Sequence, residues 1–344
     1  MASLSAMLVR SCLAVFVTAL AALAQAPVTF ASIFHAERNT WAEVLQRRSV
    51  LESDGHGGMH WAAIDETLRL GADRASGQAR FVLELVGVPG MVLDPAEFER
   101  RRDLHASRAG FLQQFGSFHV GDVALAEQNY QIIPLDQRSR LGRPTQRVAV
   151  VSRQLGRSAW ILEVDAATHY PLYRAEVSSL GVIVSTLEVL RMTPTDPAPV
   201  GAVSWWRPTS PVEYFGDVNA AVSALGVAEQ SVLPIAQELP QGFRFLEART
   251  VIDTLRPESN LVLLYTDGVE SMFVVETFGA PLPSVPVMSP TDTQSPYALF
   301  VYQDVNTLQL MFHNGTVQTI VIGASGEFGV VSLAQDLLAR SLGR

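Results

Sequence analysis

Residues 160–191 decide the fold, and they read WILEVDAATHYPLYRAEVSSLGVIVSTLEVLR. Apolar residues alternate with other residues from Trp160 to Asp165, which is the period of a half-buried strand. Asp165 to Pro171 predicts a turn, and Leu180-Gly181 predicts a second one, because glycine adopts the positive φ that tight turns need. The stretch therefore predicts three strands of a meander in a curved antiparallel sheet, without a pattern typical of catalysis.

Length and composition indicate a folded protein with two domains. The chain has 344 residues, and hydrophobic residues make up 48% of them, which supports real cores and argues against wholesale disorder. The net charge of −9 argues against a general nucleic-acid binder. All 25 basic residues are Arg. Because the phosphate-binding P-loop motif requires a Lys, this kind of nucleotide site is excluded.

The N-terminal segment predicts export. An apolar run from Leu13 to Leu23 follows a basic residue, and small residues suited to signal-peptide cleavage come next. We expect a signal peptide of residues 1–24 and a soluble periplasmic or otherwise exported protein; the alternative is an uncleaved signal that anchors the chain in a membrane. The single cysteine, Cys12, precedes the apolar run, so the cleaved chain has no disulfide and depends on packing for its stability.

Residues 36–193 predict a β-rich first domain. Ahead of the meander, strands are expected at 59–70, 78–88, 129–135 and 146–154. The segment from Thr40 to Val50 fits either a short helix or the lead-in to the first strand. Asp94 as N-cap and Pro95 at the first helical position predict a long helix, with a break between His105 and Gly110.

Residues 194–211 predict a linker between two domains. Five prolines lie there, too many for a helix or a central strand. Trp205 and Trp206 lie inside the linker. They fit either a contact that holds the linker against a domain surface or an exposed aromatic contact for a partner or a lipid.

Residues 212–344 predict a smaller α+β domain. A helix is expected at 217–225, capped by Gly226, and Asp267-Gly268 is a strong hairpin signal between strands at 261–265 and 271–277. Further strands are expected at 298–301, 307–312 and 316–322, after a Pro-rich loop at 281–296. A closing helix over 330–342 carries Leu residues on one stripe, which would lie against the antiparallel sheet.

Several of these segments resemble the MucB/RseB family. In the first half, the similar segments are VDAATHYPL at 164–172, NY at 129–130 and GR at 142–143 ahead of VAV at 148–150. In the second half they are LPQGF at 239–243, YTDGVES at 265–271 and LLARSL at 337–342. The order of these motifs along most of the chain is more specific than any single one.

This resemblance implies both a fold and a function. The implied fold is an antiparallel half-open β barrel with a helical plug, of the LolA type, followed by a smaller α+β domain. The implied function is that of a non-enzymatic regulator in the periplasm. It would bind the exported part of an anti-sigma factor, control its proteolysis, and be released by lipid. A carrier or chaperone for an acyl lipid or lipoprotein is the alternative.

The residues give little support to an enzyme or a metal site. Neither a Gly-x-Ser-x-Gly elbow nor a thiol nucleophile occurs in the cleaved chain. His56 and His60 are the best metal candidates, but their stretch has turn glycines and lacks a third ligand, so a solvated turn and a strand residue are favoured. Asp165 is predicted to cap a turn. No catalytic residue, metal or cofactor is therefore assigned.

Binding residues are predicted for a lipid and for a partner. Candidates for an apolar cavity are Phe81, Leu83, Leu85, Phe111, Leu112 and Phe115, although a role as ordinary core residues is favoured for them. An acyl chain in such a cavity gains about 0.8 kcal/mol for each CH₂ group removed from water. Candidates for partner contact are Arg100, Arg101 and Arg102, together with Trp205 and Trp206. The three arginines fit either a solvated helix face or a contact with an acidic partner or lipid headgroup.

Overall fold

The fold is built on two antiparallel sheets. The computed structural model describes residues 26–53, 56, 58–72, 79–154, 156, 158–178, 180–195, 212–215, 217–226, 242–252, 259–278, 300–303, 307–314 and 317–324. The strands of the first sheet are β1 Ala42–Ser53, β2 Met59–Ala72, β3 Ala79–Gly87, β4 Tyr130–Arg140, β5 Arg143–Ser152, β6 Ser158–Asp165, β7 Pro171–Val177 and β8 Ile183–Pro194. Their order is β3-β2-β1-β8-β7-β6-β5-β4, so β3 and β4 are the edges and the sheet is open.

Strand β1 lies between β2 and β8, and its pairing with β8 joins the first and the last strands of this sheet in the sequence. Ala42 pairs with Leu70 of β2 on one side and with Pro194 of β8 on the other. Both alternatives for residues 40–50 were therefore wrong, because Ala42–Ser53 is itself a strand of the sheet. The strands predicted at 59–70 and 78–88 are confirmed as β2 and β3, and those predicted at 129–135 and 146–154 as β4 and β5.

The predicted meander is confirmed as β6, β7 and β8. Gly181 has a φ of 76° in the second turn, as the sequence predicted. The half-buried pattern of β6 was wrong, because Glu163 and Asp165 are buried together with the apolar residues. Arginines from other strands pair with both carboxylates: Arg140 Nε donates to Glu163 over 2.8 Å and Arg143 Nε to Asp165 over 2.5 Å.

Asp165 caps the first turn of the meander, as predicted. Its Oδ1 accepts hydrogen bonds from the backbone N–H groups of Ala167 and Thr168 over 3.0 and 2.7 Å, and from the Thr168 hydroxyl over 3.0 Å. These bonds hold the chain in a turn in which His169 has a φ of 61°, a conformation that non-glycine residues rarely adopt.

Replacing Asp165 with Ala should lower the free energy of unfolding by about 2 kcal/mol, because two backbone donors and a guanidinium lose their acceptor in a buried turn. Urea unfolding monitored by circular dichroism measures this change. Asp136→Ala is the matched control, because Asp136 is an exposed carboxylate paired with Arg138 over 2.8 Å, and it should change stability little. Equal losses in the two variants would contradict the capping role.

Three helices accompany the first sheet: α1 Phe30–Asn39, α2 Pro95–Phe115 and α3 Val123–Asn129. The sequence did not predict α1, which begins with a capping box in which Ser32 N–H donates to Thr29 Oγ1 over 3.0 Å. The start of α2 is confirmed, since Glu97 N–H donates to Asp94 Oδ1 over 2.9 Å. The predicted break in α2 was wrong, because the helix continues to Phe115. His105 is buried against the sheet at that point.

The core lies between α1 and one face of the first sheet, called here the covered face. Phe30 and Ile33 of α1 pack against Val148 and Leu162. Ala36, one turn further along α1, shares a second cluster with residues of β1, β2, β3, β7 and β8. The amphipathic helix thus crosses the sheet and buries its apolar stripe against most of the strands.

The second sheet has seven strands in the order β13-β14-β15-β12-β11-β10-β9. They are β9 Val212–Phe215, β10 Arg244–Ile252, β11 Ser259–Thr266, β12 Ser271–Phe278, β13 Phe300–Gln303, β14 Thr307–Asn314 and β15 Val317–Ala324. Helix α4 comprises Val218–Leu225. Asp217 is its N-cap, and Gly226, which has a φ of 68°, is its C-cap. The predicted helix cap and the hairpin at Asp267-Gly268 are both confirmed.

The α+β class is therefore confirmed. The first sheet spans residues 42–194 and the second spans 212–324, while the domain limits of 36–193 and 212–344 stay predictions. The predicted signal peptide, most of the predicted linker, the Pro-rich loop at 281–296 and the closing helix at 330–342 lie outside the described residues. In the described part of the chain, every helix is too short or too polar to cross a membrane.

Candidate functional site

The two sheets meet at a buried junction around the β11–β12 turn. Asp267 is the centre of this junction, and its Oδ1 accepts the backbone N–H groups of Val269 and Glu270 over 3.0 and 2.8 Å. Tyr130, the first residue of β4, donates its hydroxyl to Asp267 Oδ2 over 2.5 Å. Burial raises the pKa of Asp267 to about 6, although the hydrogen bonds from Tyr130 and from the turn act in the opposite direction.

Asn129 ties a second segment of the second half to the junction. Its Nδ2 donates to the backbone oxygen of Asp267 over 2.9 Å and approaches that of Gly242 at 3.4 Å. Gly242 has a φ of 82°, and a Cβ atom there would lie 2.3 Å from Asn129 Oδ1. A side chain here would be strained at this φ and would displace the Asn129 amide from its hydrogen bonds.

Gly268 makes a close backbone contact between the two halves of the chain. Its φ is 102°, and a Cβ atom would lie 2.2 Å from the backbone nitrogen of Ala126 in α3. Its backbone oxygen accepts the Gly121 N–H over 3.0 Å. The next residue, Val269, belongs to the core cluster of the first sheet, beside Tyr130 and Trp160. The hairpin turn is thus part of the first sheet's core.

Three motifs that carried the family resemblance meet at this junction: NY at 129–130, GF at the end of 239–243 and DGV at 267–269. The sequence placed Asp267-Gly268 in a hairpin but gave no sign that Asn129 and Tyr130 contact it. Hydrogen bonds, close backbone packing and apolar contact all act there. The junction therefore fixes the orientation of the second sheet on the first.

The buried Asp267 carboxyl, which accepts the Tyr130 hydroxyl, makes the free energy of unfolding depend on pH in a defined direction. The folded-state pKa of Asp267 is above the ordinary value of 3.8. The stability that the protonated Asp267 contributes is therefore fully present below pH 3.8 and is lost as pH rises through about 6. Asp267→Asn should remove this loss, because an amide stays neutral and still accepts the turn N–H groups. Between roughly pH 4 and pH 7 the variant should gain stability relative to the parent in urea unfolding. A constant difference across this window would contradict the assignment.

A second buried polar group lies on the covered face under α2. Glu66 of β2 accepts hydrogen bonds from Gln46 Nε2 over 2.7 Å and from the Arg48 guanidinium over 2.9 Å. His105 Nε2 of α2 lies 3.1 Å from its other oxygen. Burial raises the pKa of Glu66, but Arg48 and the hydrogen bonds outweigh burial and hold this pKa below its ordinary value. Glu66 therefore stays an anion inside the protein.

A third buried group connects α1 to β7. Arg174 donates to Glu37 over 3.1 Å, and His119 Nδ1 lies 2.9 Å from the other Glu37 oxygen. The Arg174 guanidinium also lies 5.5 Å from the centre of the Tyr170 ring. Sequence reasoning treated the histidines as isolated and missed both buried groups, because their partners are distant in the sequence. The covered face thus contains ion pairs as well as apolar core.

Glu176 is a third acid on the covered face, opposite Trp160 across the β6–β7 ladder. The Ser185 hydroxyl donates to its Oε2 over 2.9 Å. Burial raises the pKa of Glu176 to about 7, because a single hydroxyl compensates little of the lost hydration. The covered face therefore carries a carboxyl group beside Trp160 as well.

The residues predicted to line an apolar cavity are described only in part. Leu83 and Leu85 of β3 are buried, and Phe81 packs against the same core cluster as Leu83. Leu85 is also paired with Glu66 across the β2–β3 ladder, next to the buried ion pair. Phe111, Leu112 and Phe115 belong to α2, but their side chains lie outside the description. Lining of a lipid cavity by these six residues stays a prediction.

The predicted partner contacts are described only in part. Arg100 and Arg101 pair with Glu97 over 2.8 and 2.5 Å, and Arg102 pairs with Glu99. These ion pairs run along the exposed surface of α2, so the guanidiniums already have carboxylate partners within the helix. Trp205 and Trp206 lie outside the described residues. Contact of these five residues with a partner stays a prediction.

The histidines considered for a metal site are apart from any ligand cluster. His60 is an exposed residue of β2 and His56 lies in the connection before it. Across the described part of the chain, no three His, Cys, Asp or Glu side chains form a group that could hold a metal ion.

Comparison with known proteins gives one informative likeness. A crystal structure of MucB superposes with a TM-score of 0.51 over 88% of this chain and 94% of MucB, at 13% sequence identity. The chain has a MucB-like fold. A structure of MucB in complex with MucA(peri) and one of the Pseudomonas aeruginosa MucA/MucB complex give TM-scores of 0.48 and 0.49 at 15% and 14% identity, each over 88% of this chain. These two superpositions cover 96% and 94% of the respective solved chains.

The likeness to MucB is found by comparing structures and not by comparing sequences. No protein-family model matches the chain, and no curated protein matches its sequence. The likeness extends over both sheets, since 88% of this chain is superposed. It agrees with the resemblance that the turn motifs indicated.

Proposed function

We propose that the protein is a non-enzymatic exported regulator that binds the exported part of an anti-sigma factor and controls its proteolysis, with lipid as the releasing signal. The observation that carries this proposal is the junction. Three motifs typical of the MucB/RseB family, distant in sequence, meet there in a chain with a MucB-like fold. A signal peptide of residues 1–24 and a periplasmic location belong to the same proposal.

The proposed architecture assigns a role to each part of the chain. Residues 36–193 are taken as a LolA-like domain, a half-open barrel whose open sheet is covered by α1 and α2. Residues 212–344 are taken as the second domain, joined by a linker at 194–211. Because the junction fixes the two sheets relative to each other, a partner segment that contacts both would meet a preformed surface. Such preorganisation lowers the entropy cost of binding.

Binding to the exported segment of an anti-sigma factor encoded beside a sigma factor tests this function. Isothermal titration of the purified chain with that segment should show saturable binding, and bound protein should slow cleavage of the segment by a protease. Gly268→Ala, which disrupts the junction, should weaken binding at least about tenfold by raising the cost of ordering the two sheets. Gly226→Ala should not, because its Cβ meets open space. Absence of binding, with and without lipid, would overturn the proposal.

The carrier alternative has less support from the described residues. An acyl cavity requires apolar lining. Beside its two apolar clusters, the covered face buries the Arg48–Glu66 pair and Glu176. We therefore favour partner binding as the main function. Native mass spectrometry tests the carrier: acyl species should co-purify with it, and the mass of the chain alone would contradict a carrier function.

A further inference from the structure

Three polar side chains lie side by side across the covered face. The register places Trp160 of β6 opposite Glu176 of β7, and Glu176 opposite Ser185 of β8. Residues that are directly opposite in an antiparallel pair have their Cβ atoms about 5 Å apart on the same face of the sheet. Trp160, Glu176 and Ser185 therefore form one row, called here the polar row.

Trp160 brings an unused hydrogen-bond donor to the polar row. This residue is 6% exposed, and its ring packs edge-on against Phe118 with the ring centres 5.8 Å apart. Within the described part of the chain, no acceptor lies within hydrogen-bonding distance of the buried Trp160 Nε1. A buried N–H group without an acceptor loses its hydration and gains nothing in return, and such groups are uncommon in folded proteins. The indole N–H therefore points to an acceptor that a ligand supplies.

Glu176 brings an acceptor to the same row. The Ser185 hydroxyl donates to Glu176 Oε2 over 2.9 Å, and among the described residues this hydroxyl is the one donor to the carboxyl group. The arginine two residues earlier on β7, Arg174, is paired with Glu37 instead. The Glu176 carboxyl group can therefore accept a further hydrogen bond, whereas a second anion beside it would be repelled.

The polar row can be reached from the β2 side of the sheet. Val50 of β1 continues the row, since it pairs with Ser185 on one side and with Ala62 of β2 on the other. Both Val50 and Ala62 are partly exposed. Helix α2 covers this side of the sheet loosely, because His105 is the one buried residue among residues 95–106. A small molecule can therefore approach the row beneath α2.

We propose that the polar row binds an uncharged amide, whose carbonyl oxygen accepts the Trp160 Nε1–H and whose N–H donates to Glu176. An amide carries the acceptor and the donor within one planar group, whereas an ester lacks the donor and a carboxylate would place a second anion beside Glu176. The amide of an acylated molecule and the amide of a peptide share this chemistry. The site goes beyond the proposed function, because it requires neither the anti-sigma segment nor the junction.

Isothermal titration of the purified chain with matched probes tests the site. The probes are decanamide, methyl decanoate and decanoate, which share one acyl chain and differ in the polar group. Decanamide should bind about tenfold more tightly than either of the others, because the amide alone completes both hydrogen bonds. Its binding should also move the Trp160 indole N–H signal in heteronuclear NMR spectra. Acetyl-leucine-amide, which has no acyl tail, distinguishes the sources: it should match decanamide if the natural amide belongs to a peptide and bind more weakly if it belongs to an acylated molecule.

Two variants and a matched control assign the binding to the polar row. Trp160→Phe removes the indole N–H but keeps an aromatic ring against Phe118, so the affinity for decanamide should fall about tenfold while that for methyl decanoate stays unchanged. Glu176→Leu should have the same selective effect, and its fold should persist because the change removes a buried carboxyl group. The control is Trp61→Phe, because Trp61 precedes Ala62 on β2, lies on the opposite face of the sheet and is 48% exposed. It should bind every probe as the parent does.

Three results would overturn the proposal. One is equal affinity for decanamide and methyl decanoate, which would mean that apolar burial alone accounts for binding. Another is a Trp160 indole signal that stays unchanged at the highest decanamide concentration, because the N–H would then be hydrated by an ordered water only. The third is an equal loss of affinity in Trp160→Phe and Trp61→Phe, which would place the binding outside the polar row. Circular dichroism spectra that match the parent show that a loss of binding is not unfolding.

Discussion

Gly268→Ala is expected to lower the free energy of unfolding by about 3 kcal/mol and to loosen the second sheet from the first. A residue with a side chain at a φ of 102° is strained by roughly 1–2 kcal/mol. The added Cβ would also lie 2.2 Å from Ala126 N and 2.8 Å from Asp122 O. Both are backbone atoms that cannot turn aside, so overpacking adds roughly 1–3 kcal/mol.

Gly226→Ala is the matched control for this prediction. Gly226 has a φ of 68° at the end of α4, but nothing lies within 4 Å of the position a Cβ would take. The variant has the conformational strain alone and should lose about 1 kcal/mol. Urea unfolding gives both free energies, and limited proteolysis between the two sheets should be faster in Gly268→Ala alone. Similar losses in the two variants would show that strain, rather than the contact with α3, decides the effect.

Arg48→Met is expected to lower the free energy of unfolding by about 3 kcal/mol at neutral pH, because it leaves the buried Glu66 anion without its guanidinium. In the parent, the lowered pKa of Glu66 means that its contribution is present above the ordinary value of 4.5 and is lost as pH falls. In the variant, burial raises this pKa instead. The difference between parent and variant should therefore shrink in acid.

Two controls isolate the buried pair. Arg47→Met removes the neighbouring arginine, which pairs with Asp65 over 2.7 Å but is 39% exposed, so the loss should stay within about 1 kcal/mol. Arg48→Met/Glu66→Leu removes both buried charges and should be more stable than Arg48→Met alone. Urea unfolding at several pH values measures all three variants. A double variant less stable than the single one would mean that the pair is not the source of the loss.

The elements that local chemistry dictates were predictable from the sequence. Asp165, Gly181 and Gly226 act on residues within a few positions of themselves, so their turns and caps could be assigned without tertiary information. The hairpin at Asp267-Gly268 was predictable for the same reason. Alternation of apolar residues placed most strands of the first sheet.

The elements that depend on packing were not predictable. Helix α1 comes a few residues after the apolar run from Leu13 to Leu23, which hides its amphipathic pattern in the sequence. A break was predicted in α2 between His105 and Gly110, whereas the helix continues to Phe115 and His105 lies 3.1 Å from Glu66 of β2. The burial of Glu163 and Asp165 was missed because their arginine partners lie on other strands.

The junction could be predicted only in pieces. Asn129 and Tyr130 lie more than a hundred positions before Asp267, and the bond between Tyr130 and Asp267 spans 137 positions. A tyrosine at a strand start and an aspartate in a hairpin each have a sufficient local explanation. Their contact follows from the arrangement of two sheets, which the sequence pattern does not encode in any single segment.

The position of β1 between β2 and β8 sets the order in which the chain can fold. During synthesis β1, β2 and β3 appear early and can pair locally, but the second edge of β1 stays open until residue 194 is available. Pairing at such sequence separation is slow, because the loop must close before any contact compensates its entropy. The nascent chain therefore presents an unpaired strand edge over most of its first half, and this interval is when it is most prone to aggregate.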